Sequence, residues 1–135
     1  LEHKCVLSIS RYLESLGCEV TYLHPNSDGE IQPSIVKNAF RENTALVSIM
    51  HVNNELGTIN PITKIANLVK KRNILFHSDA VQAFGKITLD INMIPIDFLS
   101  MSAHKLYGHI SLWDTKYITD MSNLFDLKDC FNTIC

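Results

Sequence analysis

The sequence predicts an α/β fold, a three-layer, mostly parallel sheet with helices on its faces. Three observations predict it. Apolar runs of strand length alternate with segments at helical spacing, the order expected of a parallel sheet. The run "TALVSIM" (residues 44 to 50) is almost continuously apolar, as a strand covered on both faces must be. The polar clusters "HVNNE", "HSDAVQ" and "SAHK" each follow directly after such a run.

The elements follow in order. Cys5, Ile9, Tyr12, Leu13 and Leu16 recur at helical spacing, and Gly17 supplies a C-terminal stop. "CEVTYLH" reads as a strand and "PNSDG" as a turn. "PSIVKNAF" makes a short helix with Pro33 in its first turn. After the strand at 44 to 50 comes the polar segment "HVNNELGTINP", then a helix over 61 to 72 marked by Ile62, Ile65, Ala66 and Val69. Lys70, Lys71 and Arg72 close it, where cations suit the helix dipole. "ILFH" is a strand over 74 to 78, "SDAVQAFGK" a polar loop or helix start, and "IDFLSM" a strand over 97 to 101. The strands at 44 to 50, 74 to 78 and 97 to 101 are expected to lie side by side and parallel, joined by right-handed crossovers.

A chain of 135 residues supports one domain with a moderate core. With 46% hydrophobic and 19% charged residues it is not a disordered chain. A net charge of -2 without any basic block argues against nucleic acid as a partner, because phosphate binding needs clustered Lys and Arg. No apolar run has the length that spans a bilayer, so no membrane role is expected. Cys5, Cys18, Cys130 and Cys135 form no CxxC pair and no zinc-ligand spacing, and no HExxH is present, so no metal site is expected. Cys5 and Cys18 read as buried core thiols, which suits a reducing compartment. The first residue is Leu1, so the chain is expected to begin inside something longer, with its targeting signal unread.

The polar clusters fall at the carboxyl ends of three strands, where open α/β sheets place their ligands. This position raises Lys105, in "SAHK", above an ordinary solvated loop charge. Its amine suits an imine with an aldehyde cofactor such as pyridoxal 5'-phosphate (PLP). Such a ring needs a carboxylate at its pyridinium nitrogen, and Asp79 stands at the next strand end, although a strand-end aspartate is more often a helix N-cap. Taken singly, Gln82 is an exposed helical glutamine, His3 a surface histidine, Asn54 a turn residue and Ser102 a local backbone cap. As a set they offer a ring-oxygen partner, a ring stack, a carboxylate-orienting amide and, with His104, donors for a phosphate.

The stretches "EHKCVLSISRYLESLGCEVTYL", "VSIMHVNNELGTINPI", "HSDAVQAFGKITLDI" and "IDFLSMSAHKLYG" resemble the cysteine desulfurases. With the selenocysteine lyases, these form part of the class V aminotransferase group of fold-type I PLP-dependent enzymes. The resemblance runs from Leu1 to Gly108. It implies that residues 1–108 are the central part of the large PLP-binding domain, and that Lys105, Asp79 and His3 are catalytic. Lys105 corresponds to the lysine that binds PLP, Asp79 to the aspartate at the pyridine nitrogen and His3 to the histidine stacked on the ring. Gln82 corresponds to the glutamine at the ring hydroxyl, Asn54 to the asparagine near ring and substrate, and Ser102 and His104 to phosphate-binding positions. The implied reaction converts L-cysteine to L-alanine and passes sulfur to an enzyme cysteine as persulfide, for iron–sulfur cluster or thio-cofactor synthesis. The implied partners are L-cysteine and sulfur-acceptor or scaffold proteins, in a homodimer, in the cytoplasm or, in a eukaryote, the mitochondrion. The alternatives are selenocysteine lyase and a truncated, non-catalytic remnant.

Residues 109–135 show no family pattern and form a divergent tail. Ile118, Met121, Leu124, Phe125 and Leu127 fit one apolar helix face there. The family's cysteine-bearing loop is absent, so the 135 residues alone are expected to be inactive.

Overall fold

The computed structural model describes residues 1–102 and the backbone of Asn132–Ile134. Helix α1 (Lys4–Ser15) is capped by His3, whose Nδ1 accepts from the Cys5 amide at 3.3 Å. It ends on Gly17, at φ 91°, where Gly17 N bonds Glu14 O and Cys18 N bonds Leu13 O. That pair of bonds is the Schellman arrangement, which needs a residue free to adopt positive φ. Strand β1 (Val20–Thr21) follows, and then helix α2 (Pro33–Ala39), with Pro33 at its first position. Strand β2 (Thr44–Ser48) leads through the segment 49–61 to helix α3 (Ile62–Lys70), and Asn73, at φ 57°, turns the chain out of it. Strands β3 (Leu75–Asp79) and β4 (Phe98–Ser100) complete the expected series.

Residues 44 to 50, 74 to 78 and 97 to 101 are thus seen as β2, β3 and β4, adjacent and parallel, with Ser48 opposite His77 and Asp79 opposite Ser100. The five-stranded sheet has the order β1-β5-β2-β3-β4, and all its pairs are parallel. Strand β5 (Asn132–Ile134), between β1 and β2, comes from the tail. The sequence reading assigned no strand there, since three residues of "FNTI" carry too little periodicity to stand out. The apolar set from Ile118 to Leu127 lies outside the described residues.

Alternation sends Val47 of β2, Ile49 just beyond its end and Phe76 of β3 to one face, where they meet Val36 of α2 and Ile62, Ile65, Ala66 and Val69 of α3. All are at most 2% exposed. Asn60 pins this layer: its Oδ1 accepts from Ile31 N and its Nδ2 donates to Met50 O, both at 2.7 Å.

Two expectations are corrected. Helix α1 forms, but Ile9, Tyr12 and Leu16 are exposed, while Ser10 and Leu13 are buried. At about 100° per residue, the buried side is displaced by roughly a quarter-turn from the apolar stripe, so spacing identified the helix but not its inner face. Cys5 is exposed and Cys18 half-buried, so neither is a core residue. Cys5 lies on that displaced stripe at the first turn of α1, and Cys18 follows the helix stop.

Candidate functional site

On the other face, the same alternation aligns Ser48 and Met50 of the β2 end, His77 and Asp79 of β3, and Ser100 of β4. The three strand ends stay in step beyond their formal limits. His51 N donates to Asp79 O at 2.9 Å, and Ala80 N donates to Ser100 O at 2.9 Å. The first turn of α1 stands over this edge. Between them is a cleft of about 450 Å³ lined by His3, Cys5, Val6, Met50, Asn54, Asp79, Val81, Gln82, Ser100, Met101 and Ser102. Its size is that of a small-molecule site.

Five of the sequence-nominated residues therefore meet in one cleft: His3, Asn54, Asp79, Gln82 and Ser102. Lys105 and His104 lie outside the described residues. Asp79 is 7% exposed, and its Oδ1 accepts from Val81 N at 3.0 Å. No helix starts there: the Asp79 carboxylate caps the turn at 81–86 and lines the cleft at once. Gln82 is half-buried, and its Oε1 accepts from Lys86 Nζ at 3.0 Å. His3 and Asn54 are exposed at the rim. The adjacent Asn53 is the turn-former: its Oδ1 accepts from the amides of Glu55 and Leu56, which leaves Asn54 as the cleft asparagine.

The sequence reading missed Ser100, Cys5 and His77. Ser100 was read as part of a strand and Cys5 as core. The signal for Ser100 was its i−2 relation to Ser102, which puts both on one strand face. His77 stands in the same relation to Asp79. His77 is 3% exposed and bonded through both ring nitrogens, Nδ1 to Ser48 Oγ at 2.7 Å and Nε2 to Ser100 Oγ at 2.9 Å. Burial pushes its imidazole down to about 4, against an upward pull from the Asp79 charge.

Glu2 is the second perturbed group. Its Oε1 accepts from Met50 N at 2.6 Å, which ties the start of α1 to the end of β2, while its Oε2 is buried without a partner among the described residues. Burial raises this carboxyl to about 7, opposed by the Met50 hydrogen bond and reinforced by the Asp79 charge. Among the described residues no group of His, Cys, Asp or Glu is placed to hold a metal, and no helix is long and apolar enough to cross a membrane.

The donor set fits PLP: a carboxylate at a strand end, an amide and hydroxyls on the cleft wall, and an imidazole at the rim. The chain is 55% identical over 108 residues to the cysteine desulfurase IscS of Stutzerimonas stutzeri (strain A1501), covering 80% of this chain and 27% of that protein. It is 51% identical over 108 residues to the mitosomal cysteine desulfurase of Trachipleistophora hominis, covering 24% of it. Among solved structures, SspA in complex with cysteine matches with a TM-score of 0.77 at 50% identity, over 80% of this chain and 31% of that one. A NifS-like protein matches with a TM-score of 0.75 at 42% identity, over 80% and 30% of the two chains. The chain thus spans about a quarter of the length of the curated relatives it matches. The aminotransferase class-V family model matches residues 1–109, and the chain belongs to that family.

Proposed function

We propose that this chain is the cofactor-binding part of a PLP-dependent cysteine desulfurase. The observation that carries the reading is the buried Asp79 carboxylate at the carboxyl end of β3, sharing one cleft with His3, Asn54, Gln82 and Ser102. The names of the relatives, and the cysteine bound to SspA, supply the reaction and the substrate class.

PLP, when bound, supplies an electron sink for charge developing on an amino-acid carbon. In this reading Asp79 holds the proton on the pyridine nitrogen, its position fixed by Val81 N. His3, anchored at the start of α1, stacks on the ring. Gln82 donates to the ring oxygen and Asn54 orients the substrate carboxylate. Ser102 and His104 hold the phosphate. Lys105 provides the amine that takes the cofactor and then moves protons. A cysteine thiolate of the complete enzyme takes the sulfur. Sulfur-acceptor proteins and a homodimeric assembly belong to the same reading, in a reducing compartment, cytoplasmic or organellar.

Absorbance of the purified chain with added PLP tests this reading. A long-wavelength band that disappears in Lys105→Ala is expected, and in a family protein of full length bearing these residues the same substitution abolishes alanine formation from L-cysteine. A band and turnover unchanged by Lys105→Ala overturn it.

A further inference from the structure

We infer that Ser48, His77 and Ser100 form a polarised hydrogen-bond relay across three strands, in which neutral His77 carries its proton on Nε2 and Ser100 Oγ accepts it at the wall of the cleft. His77 and Ser100 are positioning residues in this scheme. The relay itself rests on hydrogen bonding alone; only its service to a bound PLP ring rests on the reading above.

The register supports it. Ser48 pairs with His77, and Asp79 pairs with Ser100, so four polar side chains stand together on one face of β2, β3 and β4. The ring bridges two hydroxyls at 2.7 and 2.9 Å. A neutral imidazole has one N–H and one lone pair, so a chain through it has a direction. Burial of His77, at 3% exposure, keeps the ring in that neutral form.

Ser48 sets the direction. It is 3% exposed, and His77 Nδ1 is its side-chain hydroxyl's one partner among the described residues. If Nδ1 carried the proton, the Ser48 hydroxyl would accept and its own hydrogen would be buried without an acceptor. A buried donor left without an acceptor is strongly disfavoured. If Ser48 donates to Nδ1 instead, the Ser48 and imidazole hydrogens are both used: Ser48 O–H to Nδ1 and Nε2–H to Ser100 Oγ. The negative charge of Asp79, which acts on the ring, pulls the imidazole proton to the same side. Asp79 Oδ1 already takes the Val81 amide.

The test is a long-range ¹H–¹⁵N correlation spectrum of the 135-residue chain labelled at histidine. The expected His77 signature is a protonated Nε2 and an unprotonated Nδ1 throughout pH 5.5 to 8. Ser48→Ala leaves the proton on Nε2, whereas Ser100→Ala removes the acceptor and moves it to Nδ1, facing Ser48. A protonated Nδ1 in the unsubstituted chain, or an imidazolium at pH 6.5, overturns the relay without recourse to any variant. For the service to the ring, Ser100→Ala is expected to weaken PLP binding about tenfold, because Ser100 lines the cleft opposite Asp79 and anchors His77 there, while Ser100→Thr stays within about twofold. Equal affinity of the Ala variant and the unsubstituted chain overturns the positioning role. Absence of PLP binding by the unsubstituted chain, with the Nε2–H signature present, instead removes the desulfurase reading and leaves the relay standing.

Discussion

The two faces of the sheet are built from alternate residues of the same strands, yet they differ in kind. Towards α2 and α3 the strands send Val47, Ile49 and Phe76, fully packed on Ile65, Ala66 and Val69. Towards the first turn of α1 they send Ser48, His77, Asp79 and Ser100. One polar residue breaks the apolar side: Ser78, wholly buried, whose hydroxyl donates to Ile49 O. A parallel strand buried on both faces needs no polar residue for stability, so concentrating four of them on one face sets that face apart as the candidate ligand side. The apolar layer holds the strand ends in register, and the polar layer uses that register.

The largest expected effect breaks the first face. Phe76→Ala removes a ring with 0% exposure and leaves a cavity between β3 and α3. A loss of about 3–5 kcal/mol in unfolding free energy is expected, read from urea denaturation. Asp79→Ala makes the complementary cut. It removes a cleft carboxylate with one local amide bond, so about 1–2 kcal/mol of stability is expected to go, while most of the PLP-dependent rate of a full-length family protein is lost. If Asp79→Ala cost more stability than Phe76→Ala, the division of labour between the faces would be wrong.

Asn60→Ala comes next. Asn60 joins Ile31 N and Met50 O through one buried side chain, and its removal leaves a donor and an acceptor unmatched. About 2–4 kcal/mol is expected, with PLP binding weakened through the shift of Met50 at the cleft wall. Denaturation and PLP titration of the same variant separate the two effects.

How much of this could be read beforehand differs between the faces. The strands β2, β3 and β4 and the helix α3 were legible because a 3.6-residue period and continuous apolar runs are strong signals. Asp79, Gln82 and Ser102 were legible because a polar residue at a strand end is placed by the chain's local geometry alone. The inner side of α1 was not, since Ser10 is buried by tertiary packing that no spacing rule encodes. His77 was illegible for a related reason: its partners Ser48 and Ser100 are 29 and 23 residues away, and only the strand order brings them together. Strand β5 was illegible because three residues between β1 and β2 owe their place to the open ladder there.

The last expected effect concerns pH, and it sharpens the contrast. His77 has its folded-state pKa lowered to about 4, so its contribution to stability is present above about 6.5 and is lost as pH falls towards 4. Glu2 has its folded-state pKa raised to about 7, so its contribution is present below about 4.5 and is lost as pH rises towards 7. Between about 4.5 and 6.5 the two slopes oppose each other, and these two groups together leave stability nearly flat. Glu2→Gln removes one of them. Gln keeps an oxygen for the Met50 amide, so at pH 4.5 the variant and the unsubstituted chain are expected to have nearly equal urea midpoints. At pH 8 the unsubstituted chain carries a buried carboxylate that the variant lacks, and Glu2→Gln is expected to be the more stable by about 2–3 kcal/mol. The variant's own stability then rises with pH between about 4.5 and 6.5, the signature of a buried neutral His77 left unopposed. Equal stability of the two proteins at pH 8 would mean that Glu2 is ordinarily ionised and solvated, and that the start of α1 does not close over the sheet edge as described.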